Sequence, residues 1–279
     1  MADQLTGTSQ ASAIIPEVWS ARFYEVRLAK LPFNDSVSSD YEGEIQALGD
    51  IVNISSINEF DEGADLPEGA RADAEAASIS GQQLVINKRA YKDFIVTNRA
   101  KLQSIEFVDK LRERAVYAIN KKMHSDIIAA IVPSASAPDH QIAFDSGTTL
   151  ALADLLEGKE LLDGSDVEEE GRKLVSAVPQ FNDLFNITGF TSRDFIPAGS
   201  PLTSGSIPTP VLGFEVMHTS ELTNTVYLFH PSFLTVAMQD GLNVAEYDLG
   251  VDGKRAARIN SDILWGLKQL DDQRVVSIS

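Results

Sequence analysis

The segment Asp145-Ser-Gly-Thr-Thr149 comes closest to a known chemistry. An aspartic protease presents a carboxylate from such an Asp-Ser/Thr-Gly turn and needs a second carboxylate to share its proton. No second triplet of this kind occurs in the chain. Helical patterns flank the motif where such an enzyme has all-β lobes, so it reads as a turn capping a helix over 150–162, with Thr149 as cap. The histidines, His124, His140, His218 and His230, show no His-x-x-x-His, His-Glu-x-x-His or facial-triad spacing. A Ser–His–Asp triad forms in space and leaves no fixed spacing, but the Gly-x-Ser-x-Gly elbow is absent. The glycine loops that cradle phosphates are absent too. The acidic clusters at 59–75 and 166–170 lack the alternating ligand spacing of a calcium loop and read as solvated faces. With no cysteine, thiolate zinc sites, iron–sulfur clusters, disulfides and a cysteine nucleophile are excluded together. No catalytic, cofactor or metal site is expected.

What remains is a chain built for packing and contact. Its 279 residues suit one large domain or two small ones, and 43% hydrophobic content supports a sizeable core. A formal charge of −18 argues against coating nucleic acid or an anionic membrane by global attraction. The first residues lack a basic segment followed by an apolar one, so no signal peptide is read there. The longest aliphatic run, Ile127 to Val132, is far below the roughly 20 residues of a membrane span. Asn-x-Ser/Thr triplets at Asn34, Asn53 and Asn186 are read as chance.

The elements follow from periodicity. Residues 1–13 are small and polar and read as an arm. Pro16 opens a helix whose Trp19 and Phe23 share a face, and Pro32 ends it. Strands are expected at 50–57 and 81–97. Between them lies an acidic, Gly- and Pro-punctuated stretch with almost no large apolar residues, so a long hairpin with a polar tip results. A lone hairpin is marginal in water, which implies support from outside the subunit. Over 104–132 the residues Val108, Leu111, Ala115, Ile119, Met123, Ile127 and Ala130 recur every three or four positions, predicting one amphipathic helix that Pro133 stops. At about 100° per residue, Lys110, Arg114 and Lys121 fall on one stripe opposite that apolar seam. Further on, helices are expected at 179–185 and 231–238, and strands at 173–178, 211–217, 225–229, 257–270 and 274–278. The class is α+β, with no regular βαβ period and no repeat.

Several blocks then carry a resemblance. Ile15-Pro-Glu-Val-Trp-Ser20, Asp40-Tyr-Glu-Gly-Glu-Ile45 and Gly49-Asp-Ile-Val-Asn-Ile54 resemble the N-terminal half of tailed-bacteriophage major capsid proteins. Gly171-Arg-Lys-Leu-Val-Ser-Ala-Val-Pro179, Gly205 to Val216 with Thr219-Ser-Glu-Leu222, Phe229-His-Pro-Ser-Phe233, and Trp265-Gly-Leu-Lys268 with Arg274-Val-Val276 follow in the same order. Each block is weakly specific; their order and spacing over 14–278 are far more so. The resemblance implies the Johnson fold, with an N-terminal arm at 1–45, an extended loop at 46–98 and a peripheral domain at 99–149 containing the spine helix. An apical domain would fill 150–225, and 226–279 would return to the peripheral domain. It implies a structural, non-enzymatic subunit that assembles with itself into pentamers and hexamers of an icosahedral shell around double-stranded DNA, in the virion and first in the host cytoplasm. Its partners would be a portal protein, a separate scaffolding protein (no scaffold-like segment precedes residue 14) and, as an option, a decoration protein. The alternative is an encapsulin-like cellular compartment with the same fold, which would need a cargo-peptide groove that the sequence does not reveal.

Within this frame the expected assembly contacts are Trp19 and Phe23 in the arm and Glu59, Asp61, Glu62, Asp65, Glu68 and Arg71 in the loop. The stripe of Lys110, Arg114 and Lys121 would face the lumen. Some relatives cross-link a loop lysine to an asparagine of a neighbour. Here 46–87 contains no lysine, and Lys88 and Lys92 lie down the returning strand. Mature particles should therefore give a single monomer band on a denaturing gel. A ladder of multimers would refute this reading.

Overall fold

The computed structural model describes residues 28–40, 51–57, 65, 71, 76–97, 105–187, 210–248 and 256–279. After a single 3-10 turn at Pro32–Asp35 come β1 (Ile51–Ile57), β2 (Ile79–Thr97), α1 (Ile105–Ala130), β3 (Gln141–Ile142) and α2 (Leu152–Gly164). Then follow β4 (Lys173–Ala177), α3 (Val178–Asp183), β5 (Glu215–Thr219), β6 (Val226–Phe229), β7 (Leu234–Asp248), β8 (Ala256–Gln269) and β9 (Val275–Ile278). One sheet has the order β1-β2-β8-β7 and is antiparallel throughout. The other has the order β3-β9-β6-β4-β5, with β3–β9 and β4–β5 parallel.

The chain passes between the sheets three times, from β2 to β3 by way of α1, from β6 to β7 through Pro231–Phe233 and from β8 to β9 through residues 270–274. Residues 226–279 thus supply strands to both sheets, and the five-stranded one draws on both sides of residue 225. Its inner strands β4, β6 and β9 are buried along most of their length, whereas the edge strand β5 is only partly buried. Leu174, Leu228, Val276 and Ile278 pack under α2 with Leu155 and Leu162. Their neighbours Val175, Phe229 and Val275 enter a second core with Phe33, Ile119, Met123 and Ile127 of α1, and Leu234, Val236, Ile263 and Trp265 of the other sheet. That second core joins everything: Phe33, Phe229, Phe233 and Trp265 are each at most 1% exposed. Among the described residues no helix is long and apolar enough to cross a membrane.

Four local expectations are corrected. Residues 231–238 are not a helix. After the 3-10 turn at Pro231–Phe233 the chain alternates, with Leu234, Val236 and Met238 turned to the core, and pairs with β8 over fifteen residues. Period-2 burial and the β8 ladder override the helix-starting proline. The strand expected from Val211 starts at Glu215, because Leu212 and Gly213 take positive φ (52° and 88°) and close a tight turn between Val211 and Phe214. Residues 28–31, expected to end the first helix, are not helical; its earlier part lies outside the described residues. Finally, Thr149 is not the cap of α2. Ala151 holds that position, and its N–H donates to Asp154 Oδ2 at 2.8 Å.

In β2 the pairing shifts between Ile86 and Lys88, leaving Asn87 as an extra residue. Before this bulge, Leu84 and Ile86 pack with Val52, Ile54 and Ala237. After it, Phe94 and Val96 pack on Val108 and Leu111 of α1. Gly266 pairs with Ile86 at this point, and a Cβ on it would meet the Val85 carbonyl oxygen at 2.5 Å and Ile86 Cα at 3.0 Å. Those are backbone atoms fixed by the ladder. Gly266→Ala should therefore cost about 1–3 kcal/mol and lower the urea midpoint. Gly81→Ala, with nothing within 4 Å of its Cβ, should leave the midpoint near wild type. Equal midpoints would show that the sheet yields at the bulge.

Candidate assembly surfaces

The residues that suggested catalysis are occupied structurally. Asp145 is exposed, and its segment closes a turn with Gly147 at φ 64° and Thr149 N–H donating to Ser146 O. The buried carboxylate nearby is Asp154, which accepts the N–H groups of Asp145 and Ala151 and so holds the turn against the start of α2. His140 is buried and held at both ring nitrogens, by Pro138 O at 2.9 Å and Ser165 Oγ at 3.2 Å.

His230 does meet a serine: its Nδ1 lies 2.7 Å from Ser232 Oγ. The nearest carboxylate, Glu168, approaches the same nitrogen at 3.9 Å, and Arg274 donates to the same hydroxyl. A triad needs the acid on the opposite nitrogen and a free nucleophile, so this cluster is a clasp where β6 passes into β7. Burial holds the His230 ring below its ordinary pKa, against the pull of Glu168.

The acidic loop after α2 is organised by an arginine. Arg172 is 2% exposed and donates to Asp163 Oδ1 (2.5 Å), Val167 O (2.6 Å) and Glu168 O (2.9 Å). Among the described residues no group of three or more His, Asp or Glu is placed to hold a metal ion.

The expected assembly residues are positioned as follows. Trp19, Phe23, Glu59, Asp61, Glu62 and Glu68 lie outside the described residues. Asp65 and Arg71 are exposed. The two strands that carry the loop pair from Ile51↔Val85 to Ile57↔Ile79, and beside them β1 has no other partner among the described residues. β8 joins β2 only from Ile86 onward. Residues 51–57 and 79–85 therefore form a two-stranded ribbon, and its last pair, Ile57 and Ile79, is 72% and 70% exposed.

On α1 the seam of Val108, Ala115, Ile119, Met123 and Ile127 is buried as expected from its spacing. The opposite stripe is engaged locally. Lys110 Nζ lies 3.3 Å from Glu113, and Lys121 Nζ lies 2.9 Å from Glu221, which precedes β6. The Lys121–Glu221 pair is separated by 100 residues, so only the fold brings it together.

Phe33 and His124 were not singled out by the sequence. Phe33 sits in a stretch without periodicity, yet it stacks on Phe229 (5.5 Å between centroids) and meets His124 at 5.4 Å. The only signal was an aromatic flanked by polar residues beside a proline.

The described residues thus form two sheets, each packed with helix, and a two-stranded ribbon at the β1 edge. The family described as phage capsid protein matches residues 42–279. No curated protein matches the chain. Among solved structures, one from Mycobacterium phage Che8 is 21% identical, with TM-score 0.76 and coverage of 95% of this chain and 97% of that one. The capsid structure of the cyanophage P-SCSP1u is 12% identical, with TM-score 0.78 and coverage of 98% and 94%. The capsid asymmetric unit of cyanophage Pam1 is 14% identical, with TM-score 0.72 and coverage of 98% of both chains. These likenesses establish the fold, which is that of phage capsid subunits. The chain belongs to the phage capsid protein family, a structural family and not an enzyme family. It is a major capsid protein, and its place is the virion capsid.

Proposed function

We propose that the chain closes into pentamers and hexamers of an icosahedral shell around double-stranded DNA, through interfaces in which the ribbon and its loop reach a neighbouring subunit. The observation that carries this reading is the ribbon itself. Two strands alone are marginally stable, and burying two isoleucines is worth about 1.5–3 kcal/mol each. Ile57 and Ile79 gain only a minor part of that from their own subunit. Contacts that are modest singly add through multivalency, and heterologous contacts that close give rings. The arm, through Trp19 and Phe23, and the acidic loop, through Glu59, Asp61, Glu62, Asp65, Glu68 and Arg71, supply the contacts. We assign α1 and the four-stranded sheet to the peripheral domain and the five-stranded sheet with α2 and α3 to the apical one. Assembly takes place in the host cytoplasm with a separate scaffolding protein and a portal, and a decoration protein is an optional later partner.

Replacing residues 58–78 by Asn-Gly joins Ile57 to Ile79 through a two-residue hairpin turn. The variant should keep the circular dichroism of the wild type and form no shells by negative-stain microscopy with the scaffold present. Shells at wild-type yield would remove the loop from the interface. The same images of Trp19→Ala/Phe23→Ala should show a reduced yield, and a normal yield would remove the arm.

In this reading the stripe of Lys110, Arg114 and Lys121 faces the lumen. Exposed ion pairs contribute little to stability, so changing all three to glutamine should leave Tm near wild type. Packaged DNA per particle should fall, with the interaction weakening as salt rises. Packaging equal to wild type across a salt series would make the stripe an ordinary wet surface.

A further inference from the structure

Residues 28–40 cross three elements as a strap. On α1, Tyr117 Oη accepts from Ala29 N–H at 2.9 Å and Asn34 Nδ2 donates to Asn120 O at 3.1 Å. On β5, Thr219 Oγ1 donates to Lys30 O at 2.8 Å. At the start of β7, Ser38 N–H donates to Pro231 O and Leu234 O, and Val236 N–H donates to Ser38 O at 2.9 Å. These bonds replace bonds to water and hold the strap only modestly. Its large apolar anchor is Phe33, fully buried against His124, Tyr227 and Phe229.

His124 is itself fully buried, and neither ring nitrogen has a hydrogen-bond partner among the described residues. The charged groups that face it are Glu221, beyond β5, and Lys121, one turn back on α1, paired with each other at 2.9 Å. Tyr227 on β6, the other titratable side chain of the cluster, is kept neutral by burial. An imidazolium here would carry two N–H donors into an aromatic pocket where neither ring nitrogen has a partner in the docked geometry.

We propose that the strap 28–40 is an acid-released latch: a proton taken up by His124 expels Phe33 and undocks the strap, with the N-terminal residues it carries, while both sheets remain folded. The five-stranded sheet stays packed under α2 through a core that contains no strap residue. The four-stranded sheet keeps its own ladders.

The sign follows from linkage. Burial holds the docked His124 ring down to about 4, with Glu221 opposing and Lys121 assisting. In the undocked strap the ring meets water and regains its ordinary value near 6.5. The docked form binds fewer protons, so docking weakens as pH falls below that value and levels off near the docked one. A gap of about 2.5 pH units corresponds to a shift of about 300-fold in the docking equilibrium. His218 on β5, stacked on Phe181, pulls the same way, because burial and Lys30 of the strap both hold it below its ordinary pKa.

The absence of native cysteine provides the test. Ser36, within the strap, is 1% exposed in the docked form, and Ser176 is fully buried in β4. Single Ser36→Cys and Ser176→Cys variants of the unassembled full-length chain would be titrated with 4,4′-dithiodipyridine, with rates referred to a free thiol at each pH. Cys at 36 should gain accessibility by at least about 30-fold between pH 7 and 4.5, while Cys at 176 stays protected. Adding His124→Leu should flatten the profile at 36. His124→Gln, which keeps a polar group but no proton to gain, should flatten it as well and guards against misfolding of the leucine variant. Equal protection at both pH values, an undiminished rise in both His124 variants, or simultaneous exposure of 36 and 176 would each overturn the latch.

Discussion

The subunit depends on one aromatic core, at the place where the chain changes sheet after β6 and again after β8. Phe33, Phe229, Phe233 and Trp265 fill the space among α1, β4, β6 and β9 on one side and β7 and β8 on the other. Each such side chain contributes about 1.5–3 kcal/mol or more on burial, and together they fix how the layers meet. Without that core the two ladders would each persist as backbone pairing, but nothing would set one against the other. The short clasp of His230, Ser232, Arg274 and Glu168 lies at the same crossing and adds direction where the apolar core adds only cohesion.

From that junction outward the two sheets live under different rules. The inner strands of the five-stranded sheet, β4, β6 and β9, send side chains into a core on each face, and polar groups beside them are tied down, as Arg172 ties the acidic loop. The four-stranded sheet loses cover toward its β1 edge and ends in a two-stranded ribbon. Burial therefore falls along this sheet toward the ribbon, where Ile57 and Ile79 are largely exposed.

The charge distribution follows the same division. Basic side chains along α1 find acids within the subunit, Lys110 with Glu113, Arg112 with Asp109 and Glu246, and Lys121 with Glu221. The excess of acid in the chain sits elsewhere, much of it in 59–75 and 163–170. Several groups that resemble catalytic pieces are spent on turns and clasps: Asp154, His140 and His230 each have a structural partner within hydrogen-bond reach.

Much of this was legible before any coordinates. The helix at Ile105–Ala130 followed from its seam, and the ribbon from two β-rich runs around an acidic stretch. These depend on local period and composition, which a sequence states directly. What it could not state was the switch of 231–238 from an expected helix to a long strand, since the β8 ladder that decides it begins some twenty residues later. Nor could it state the bulge at Asn87, which moves even-numbered residues of β2 from one cluster to another, or the burial of Phe33 against His124. Those are decided by partners distant in the chain, whose proximity exists only once the two sheets have closed on their common core.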